Sequence, residues 1–306
     1  MKPQIILFSL IVLFSGFTAL MAQNTLAEAD FSLENVRSLE VRGKFCNVEI
    51  NGSKGKALEF DGYIRGTGNP DGYEIKHERR GDLVEVWVET PMSVWGNLES
   101  LLKFQVPAEV DVTLENSSGN LKVYEVNTKM IGLEITSGNI ETGNTSGELE
   151  IECSSGNVTV NGQQGNLQVK TTSGNIRVKD VQGVSGVEAS SGNINLDNLD
   201  GDTRAECTSG NITMNNIRGK LYAETSSGNI RGDEIFLVNE AEFRATSGNI
   251  KLDLVNREDE LSFELEAGSG NLKAAGSSGE DELIVKRGGI LVRGVTSSGN
   301  QTYNTR

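Results

Sequence analysis

Between Gly138 and Gly228, hydrophobic and polar positions alternate in short runs that begin again every 18 residues. An aliphatic residue follows each Gly-Asn pair, as Ile140, Val158, Ile176, Ile194, Ile212, Ile230 and Ile250, and two positions later comes a second column, Val160, Val178, Leu196, Met214 and Leu252. Leading into the next pair stand Leu133, Ile151, Val169, Val187, Ala205 and Ala223, then a smaller set, Ile135, Cys153, Thr171, Ala189, Cys207, Thr225 and Ala245. A period of two marks strands with one buried face. Glycine marks the turns: Gly138, Gly156, Gly174, Gly192, Gly210 and Gly228 precede Asn, and Gly147, Gly165, Gly183, Gly201 and Gly219 fall halfway round each unit. Each unit therefore reads as strands joined at two glycine corners, with positive φ expected of the glycine before Asn.

The Gly-Asn pair extends back to Gly119 and forward to Gly248, Gly270 and Gly299, with growing insertions. One such unit cannot bury its apolar face alone, whereas stacked units share a continuous core. The pattern predicts an all-β chain, a single parallel β-helix (β-solenoid) with 18-residue coils and irregular β caps. We expect it to be right-handed, with nine or ten coils about 4.8 Å apart in a rod about 40 to 50 Å long. Stacking places Asn139, Asn157, Asn175, Asn193, Asn211, Asn229 and Asn249 in one column, where side-chain amides can hydrogen-bond as in cross-β ladders. Outward-facing, ligand-binding asparagines are the functional alternative.

Four segments follow from these boundaries. Residues 1–22 read as a signal peptide: Lys2 precedes an apolar run from Ile5 to Leu20, and Ala22 stands before Gln23. A membrane anchor needs about 20 apolar residues, and this run is shorter and broken by Ser9, Ser15 and Gly16. No Cys stands at the cleavage site for lipid attachment. Residues 23–115 read as irregular β-rich N-terminal coils or a cap, in which Asn47, Val48 and Ile50 repeat the motif with Cys46 in place of Gly. Residues 116–255 form the regular solenoid, and residues 256–306 supply longer C-terminal coils or a cap. No later stretch is apolar enough to span a bilayer, so the mature chain is expected in the periplasm, on the outer-membrane surface or outside the cell.

Composition adds two restrictions. Glycine contributes 36 of 306 residues and proline 4, which suits turns and not a disordered Pro-rich linker. A net charge of −15 argues against nucleic acid and anionic membrane as partners, because both require basic patches. Three cysteines cannot complete a disulfide framework. Cys153 and Cys207 share one inward column three coils apart, about 14 Å at that spacing, beyond the roughly 7 Å that a disulfide tolerates. They read as core fillers, and Cys46 as a free buried thiol.

The strand Phe104-Gln-Val106-Pro107, followed by Ser118-Gly119-Asn120 and then by Ser-Gly-Asn-Ile units, resembles the bacterial putative adhesin family. It is also similar to head domains of auto-transporter adhesins. The resemblance runs from about Phe31 to the end, and it implies β-helical repeats in exported or envelope proteins. It carries no catalytic or ligand residues onto this chain.

One outward column reads Glu134, Glu152, Lys170, Glu188, Glu206, Glu224 and Arg244. Three consecutive carboxylates about 4.8 Å apart repel unless neutralised, so Glu188, Glu206 and Glu224 are candidate Ca²⁺ ligands. A solvated acidic face is the competing reading, and no calcium repeat or EF-hand spacing is present. A weaker column holds Asp197, Asp233 and Asp253, interrupted by Asn215. No other cofactor is implied.

Some β-helices cleave acidic polysaccharides with paired carboxylates, but these acids follow the repeat and do not cluster with a unique cation or aromatic platform. His77 sits in a charge run with Glu78 and Arg79, and no Gly-x-Ser-x-Gly element appears. The expectation is a non-enzymatic, adhesin-like binding module whose partner is a glycan or an envelope or surface protein. The alternative is a protein-binding scaffold in the periplasm or at the outer membrane. Tyr73, Trp87, Trp95 and Tyr222 exposed on one face would favour glycan, and an apolar patch or free strand edge would favour protein.

Overall fold

The computed structural model describes residues 24–67, 69–92 and 97–306. The predicted signal peptide and Trp95 lie outside the described residues. All 26 described strands join one hydrogen-bonded sheet, and one short turn of 3-10 helix, Glu258–Glu260, interrupts them. Among the described residues no helix is long and apolar enough to cross a membrane.

The chain is a β-solenoid. In its middle, equivalent residues of successive coils pair in parallel: Val158 with Ile176, Ile176 with Ile194, Ile194 with Ile212, and Val169 with Val187, Val187 with Ala205, Ala205 with Ala223. These inward residues are buried, and each aliphatic contributes about 1.5 to 3 kcal/mol. Even the corners are bonded between coils, since the Gly192 N–H donates to Ser209 O at 3.0 Å and the Ile194 N–H to Asn211 O at 2.9 Å. Gly192 has φ +129°, and a Cβ there would lie 1.9 Å from the Gly174 carbonyl oxygen. Backbone conformation and interlayer contact both demand glycine at this corner.

A third bend is absent from the two-corner expectation. Val160 points inward, Asn161 and Gly162 do not, and Gln163 points inward again. The slip in alternation coincides with a left-handed residue in every regular coil: Asn144 (φ 53°), Gly162 (φ 78°), Asp180 (φ 55°), Asn198 (φ 58°), Asn216 (φ 51°) and Glu234 (φ 54°). Asn and Asp tolerate this region better than most side chains, so the bend needs no glycine.

At both ends the order of layers departs from the order of the chain. Ser38–Lys44 pairs with Leu83–Glu89 on one side and Asp111–Ser118 on the other, while Asn47–Ser53 lies between Leu98–Pro107 and Leu121–Tyr124. The C-terminal coil is likewise tucked one layer inside. Ile290–Ser298 lies between Ile230–Ser247 and Leu261–Ala267, and Gln301–Asn304 between Ile250–Leu254 and Leu272–Ala274. Antiparallel strands finish the outer layers: Ala57–Gly66, Asn24–Glu34 and Glu74–Arg80 at one end, Glu282–Val285 and Ser277–Gly279 at the other. They cover edges that would otherwise template further pairing. Aromatic side chains plug the same ends, with ring separations of 5.0 Å for Phe31 to Phe60 and 4.7 Å for Phe60 to Phe104. Tyr303 packs 6.2 Å from Phe243 and 5.7 Å from Phe263.

Candidate functional site

The Ser-Gly-Asn corner builds a side-chain ladder. In layer order it runs through Asn47, Asn120, Asn139, Asn157, Asn175, Asn193, Asn211, Asn229, Asn249, Asn300 and Asn271. Each amide donates to the Oδ1 of the preceding rung at 3.1 to 3.4 Å. The same Oδ1 also accepts the backbone N–H of the next rung, as Asn175 does from Asn193 at 3.0 Å. All bonds run in one sense, so their dipoles align and reinforce one another. Two residues outside the regular repeat, Asn47 and Asn300, extend the ladder to eleven rungs, beyond the nine or ten coils expected.

The acidic column lies on the strand that leads into this corner. Register pairs Glu134 with Glu152, Glu152 with Lys170, Lys170 with Glu188, Glu188 with Glu206, Glu206 with Glu224, and Glu224 with Arg244. Beside it run exposed hydroxyls, Ser154, Thr172, Ser190, Thr208 and Ser226, and together they line a shallow groove of 490 Å³. The carboxylates do not converge. Glu206 is held by Arg204 on its own strand, Glu224 accepts from the Tyr222 hydroxyl, and Glu188 stands 3.9 Å from Lys170. Among the described residues no group of three His, Cys, Asp or Glu side chains is disposed to hold a metal ion. In the weaker column, Asn215 donates to Asp197 at 2.8 Å and Asn304 to Asp253 at 2.5 Å, while Asp233 accepts from the Glu234 N–H.

Register through Arg42, Glu115 and Glu134 places Trp87 in line with the acidic column, on the outward face that also carries Tyr222, but at the opposite end of it. Tyr73 is buried, and half-buried Trp87 donates to Glu89. The Arg204 guanidinium lies 4.0 Å over the Tyr222 ring. Burial, reinforced by the bond to Glu224, pushes the Tyr222 hydroxyl pKa up to about 12. His77 stacks 4.5 Å from Phe31. All three cysteines are free and buried, and burial raises each thiol, Cys46 to about 11. Thiols held neutral in this way are poor nucleophiles.

The left-handed column was not singled out from the sequence, although Asn144, Gly162, Asp180, Asn198 and Asn216 recur every 18 residues. It forms part of the wall of a second, polar gutter of 470 Å³.

The family profile for Toastrack DUF4097 matches residues 101–198 and 149–300, which together span most of the solenoid. The chain belongs to the Toastrack DUF4097 family. Among solved structures this Toastrack chain is similar to a putative adhesin from Bacteroides fragilis, at 10% identity over 91% of this chain and 96% of that one, with a TM-score of 0.35. It is similar also to a putative adhesin from Parabacteroides distasonis, at 13% identity over 90% and 95%, with a TM-score of 0.38. A putative cell adhesion protein from Clostridium sporogenes matches at 12% identity over 91% and 100%, with a TM-score of 0.20. No curated protein matches the chain.

Proposed function

We propose that this Toastrack protein is a non-catalytic, exported module of the cell envelope that binds its ligand along the lateral surface of the solenoid. The observation that carries this reading is the groove beside Glu134, Glu152, Glu188, Glu206 and Glu224. Its functional groups repeat with the coil instead of converging on one reacting position, which suits an elongated ligand and gives no nucleophile, acid and base a common target. The test incubates residues 23–306 with envelope and host polysaccharides, with and without Ca²⁺, and measures bound protein and released reducing ends together. Retention without cleavage is expected. Cleavage, or no retention on any polymer or envelope preparation, overturns the reading. Because the carboxylates of Glu188, Glu206 and Glu224 have separate partners, retention is expected to survive chelation; loss on chelation would assign calcium to them.

A specific observation favours a second reading, a protein-binding scaffold. Among the described residues the edge strand Asn24–Glu34 pairs only with Ala57–Gly66, and Ala27, Ala29, Phe31 and Leu33 on it are only partly buried. A partner strand could add to this edge. Retention of an envelope protein, but of no polysaccharide, that is lost when Ala29 is replaced by proline would support the scaffold reading.

A further inference from the structure

We infer that the gutter along the left-handed corner holds a neutral saccharide, seated at Gly162, where the wall lacks one side chain. This rests on the binding-module reading and names its ligand class. One wall carries Asn144, Asp180 and Asn198; the other carries Ser146, Gln164 and Gln182. Three successive corner residues bond to each other: Asn198 donates to Asp180 at 2.5 Å, and Asn216 to Asn198 at 3.0 Å. Gly162 interrupts that column between Asn144 and Asp180, two layers or about 9.6 Å apart at the usual strand spacing. The side-chain ladder therefore ends at Asp180, and at the Gly162 layer the wall is reduced to backbone, with only the movable Asn144 amide leaning over it.

The chemistry of the walls selects the ligand. Carboxamides both donate and accept, and a carboxylate accepts from two adjacent hydroxyls. A vicinal diol satisfies both kinds of group at once. An anionic ligand would meet Asp180 and, further along the gutter, Asp200. Each carboxylate has one cation beside it, Lys179 at 4.0 Å from Asp180 and Arg218 at 3.9 Å from Asp200. The floor, Gln163, is already satisfied: it accepts from Thr145 at 2.7 Å and donates to Gly147 O at 2.6 Å. Recognition is therefore left to the walls.

The missing rung can be restored. Gly162 has φ +78°, a conformation that asparagine adopts readily, and a Cβ would meet Asn144 Oδ1 at 2.8 Å, the movable end of a side chain. The experiment immobilises cellotetraose, tetragalacturonate and a chitosan tetramer and measures binding of residues 23–306. Cellotetraose is expected to bind and tetragalacturonate not. Gly162→Asn is expected to lower cellotetraose affinity at least tenfold with a melting temperature unchanged or raised, and Asp180→Asn, which keeps the rung but removes the charge, is expected to weaken it too. Lys273→Gln, exposed at the C-terminal end and outside both grooves, is expected to leave cellotetraose binding unchanged. Wild-type affinity in both gutter variants, or no cellotetraose binding by the folded wild type, overturns the inference. If envelope preparations still retain the protein in those cases, the binding-module reading stands without this site; if they do not, that reading falls as well.

Discussion

The middle and the ends of the solenoid solve different problems. From Asn139 to Asn249 each layer follows the previous one in the chain, and its core is built from small and aliphatic residues such as Val169, Ala189 and Ala205. At the ends the layers are out of chain order, and the largest fully buried side chains gather there: Tyr303, Phe104 and Phe263 within them, and Phe243 on the last in-order layer, facing the C-terminal end. The difference teaches that repetition specifies stacking but not termination. Any Ser-Gly-Asn coil fits against any other in the same register, so the repeat supplies no instruction to stop. Unique aromatic plugs and antiparallel cover strands supply it.

The sharpest way to break this contrast is to remove a plug. Phe104→Ala is expected to destabilise the protein by about 3 to 5 kcal/mol, because the buried ring also supports Phe60 and, through it, Phe31. Val169→Ala in the middle deletes less volume and is expected to cost about 2 kcal/mol. Urea unfolding of both variants checks the pair, and equal losses would mean that the ends carry no special share of stability. Gly192→Ala comes next. Its positive φ imposes about 1 to 3 kcal/mol of strain on a side-chain-bearing residue, and the Gly174 carbonyl must also move. The same substitution at Gly289, where no atom lies within 4 Å of the added Cβ, is expected to be nearly neutral.

The asparagine ladder predicts a smaller, graded effect. Asn193 is an interior rung: its Oδ1 accepts both the backbone N–H and the amide of Asn211, and its own amide reaches Asn175. Asn193→Ala is expected to cost about 1 to 2 kcal/mol and to speed hydrogen exchange at the Asn211 amide. At the terminal rung, Asn271→Ala removes only the side-chain donor to Asn300 Oδ1, the backbone N–H keeping its bond, and is expected to cost about half as much. Equal costs would show that the additional bonds of an interior rung contribute nothing to stability.

The solenoid class and the register of its coils were legible because identical positions recur every 18 residues, and counting places Ile176 on Val158 without any structure. The terminal insertions were not. Ser247-Gly248-Asn249 matches Ser298-Gly299-Asn300 and Ser269-Gly270-Asn271 equally well, so the pattern is silent on which lies next to which. The left-handed corner was visible as a recurrence of Asn and Asp, but strand alternation masks a single-residue bend that needs no glycine. For the acidic face, counting aligns Glu188, Glu206 and Glu224. It does not tell that Arg204 holds Glu206 or that Tyr222 turns to Glu224, because rotamers and diagonal neighbours decide those contacts.

The smallest expected effect separates the buried thiols from the tyrosines by pH. Burial lifts the Cys46 thiol from 9.0 to about 11, and it lifts Tyr124 and Tyr222 from 10.0 to about 12, helped by bonds to Glu141 and Glu224. In each case the folded state holds its proton to higher pH than the unfolded chain. The associated stability is therefore complete below the unfolded value and is lost as pH rises through the folded one. The thiol, joined by Cys153 and Cys207, whose values shift in the same direction, begins to act above about pH 9, and the tyrosines only above about pH 10. Urea midpoints measured from pH 8 to 12 should stay level and then fall in these two windows, with Cys46→Ala flattening the first and Tyr222→Phe the second. A decline that begins below pH 9, or that neither substitution alters, would trace alkaline instability to the charge of the whole acidic rod instead of to protons held in its core.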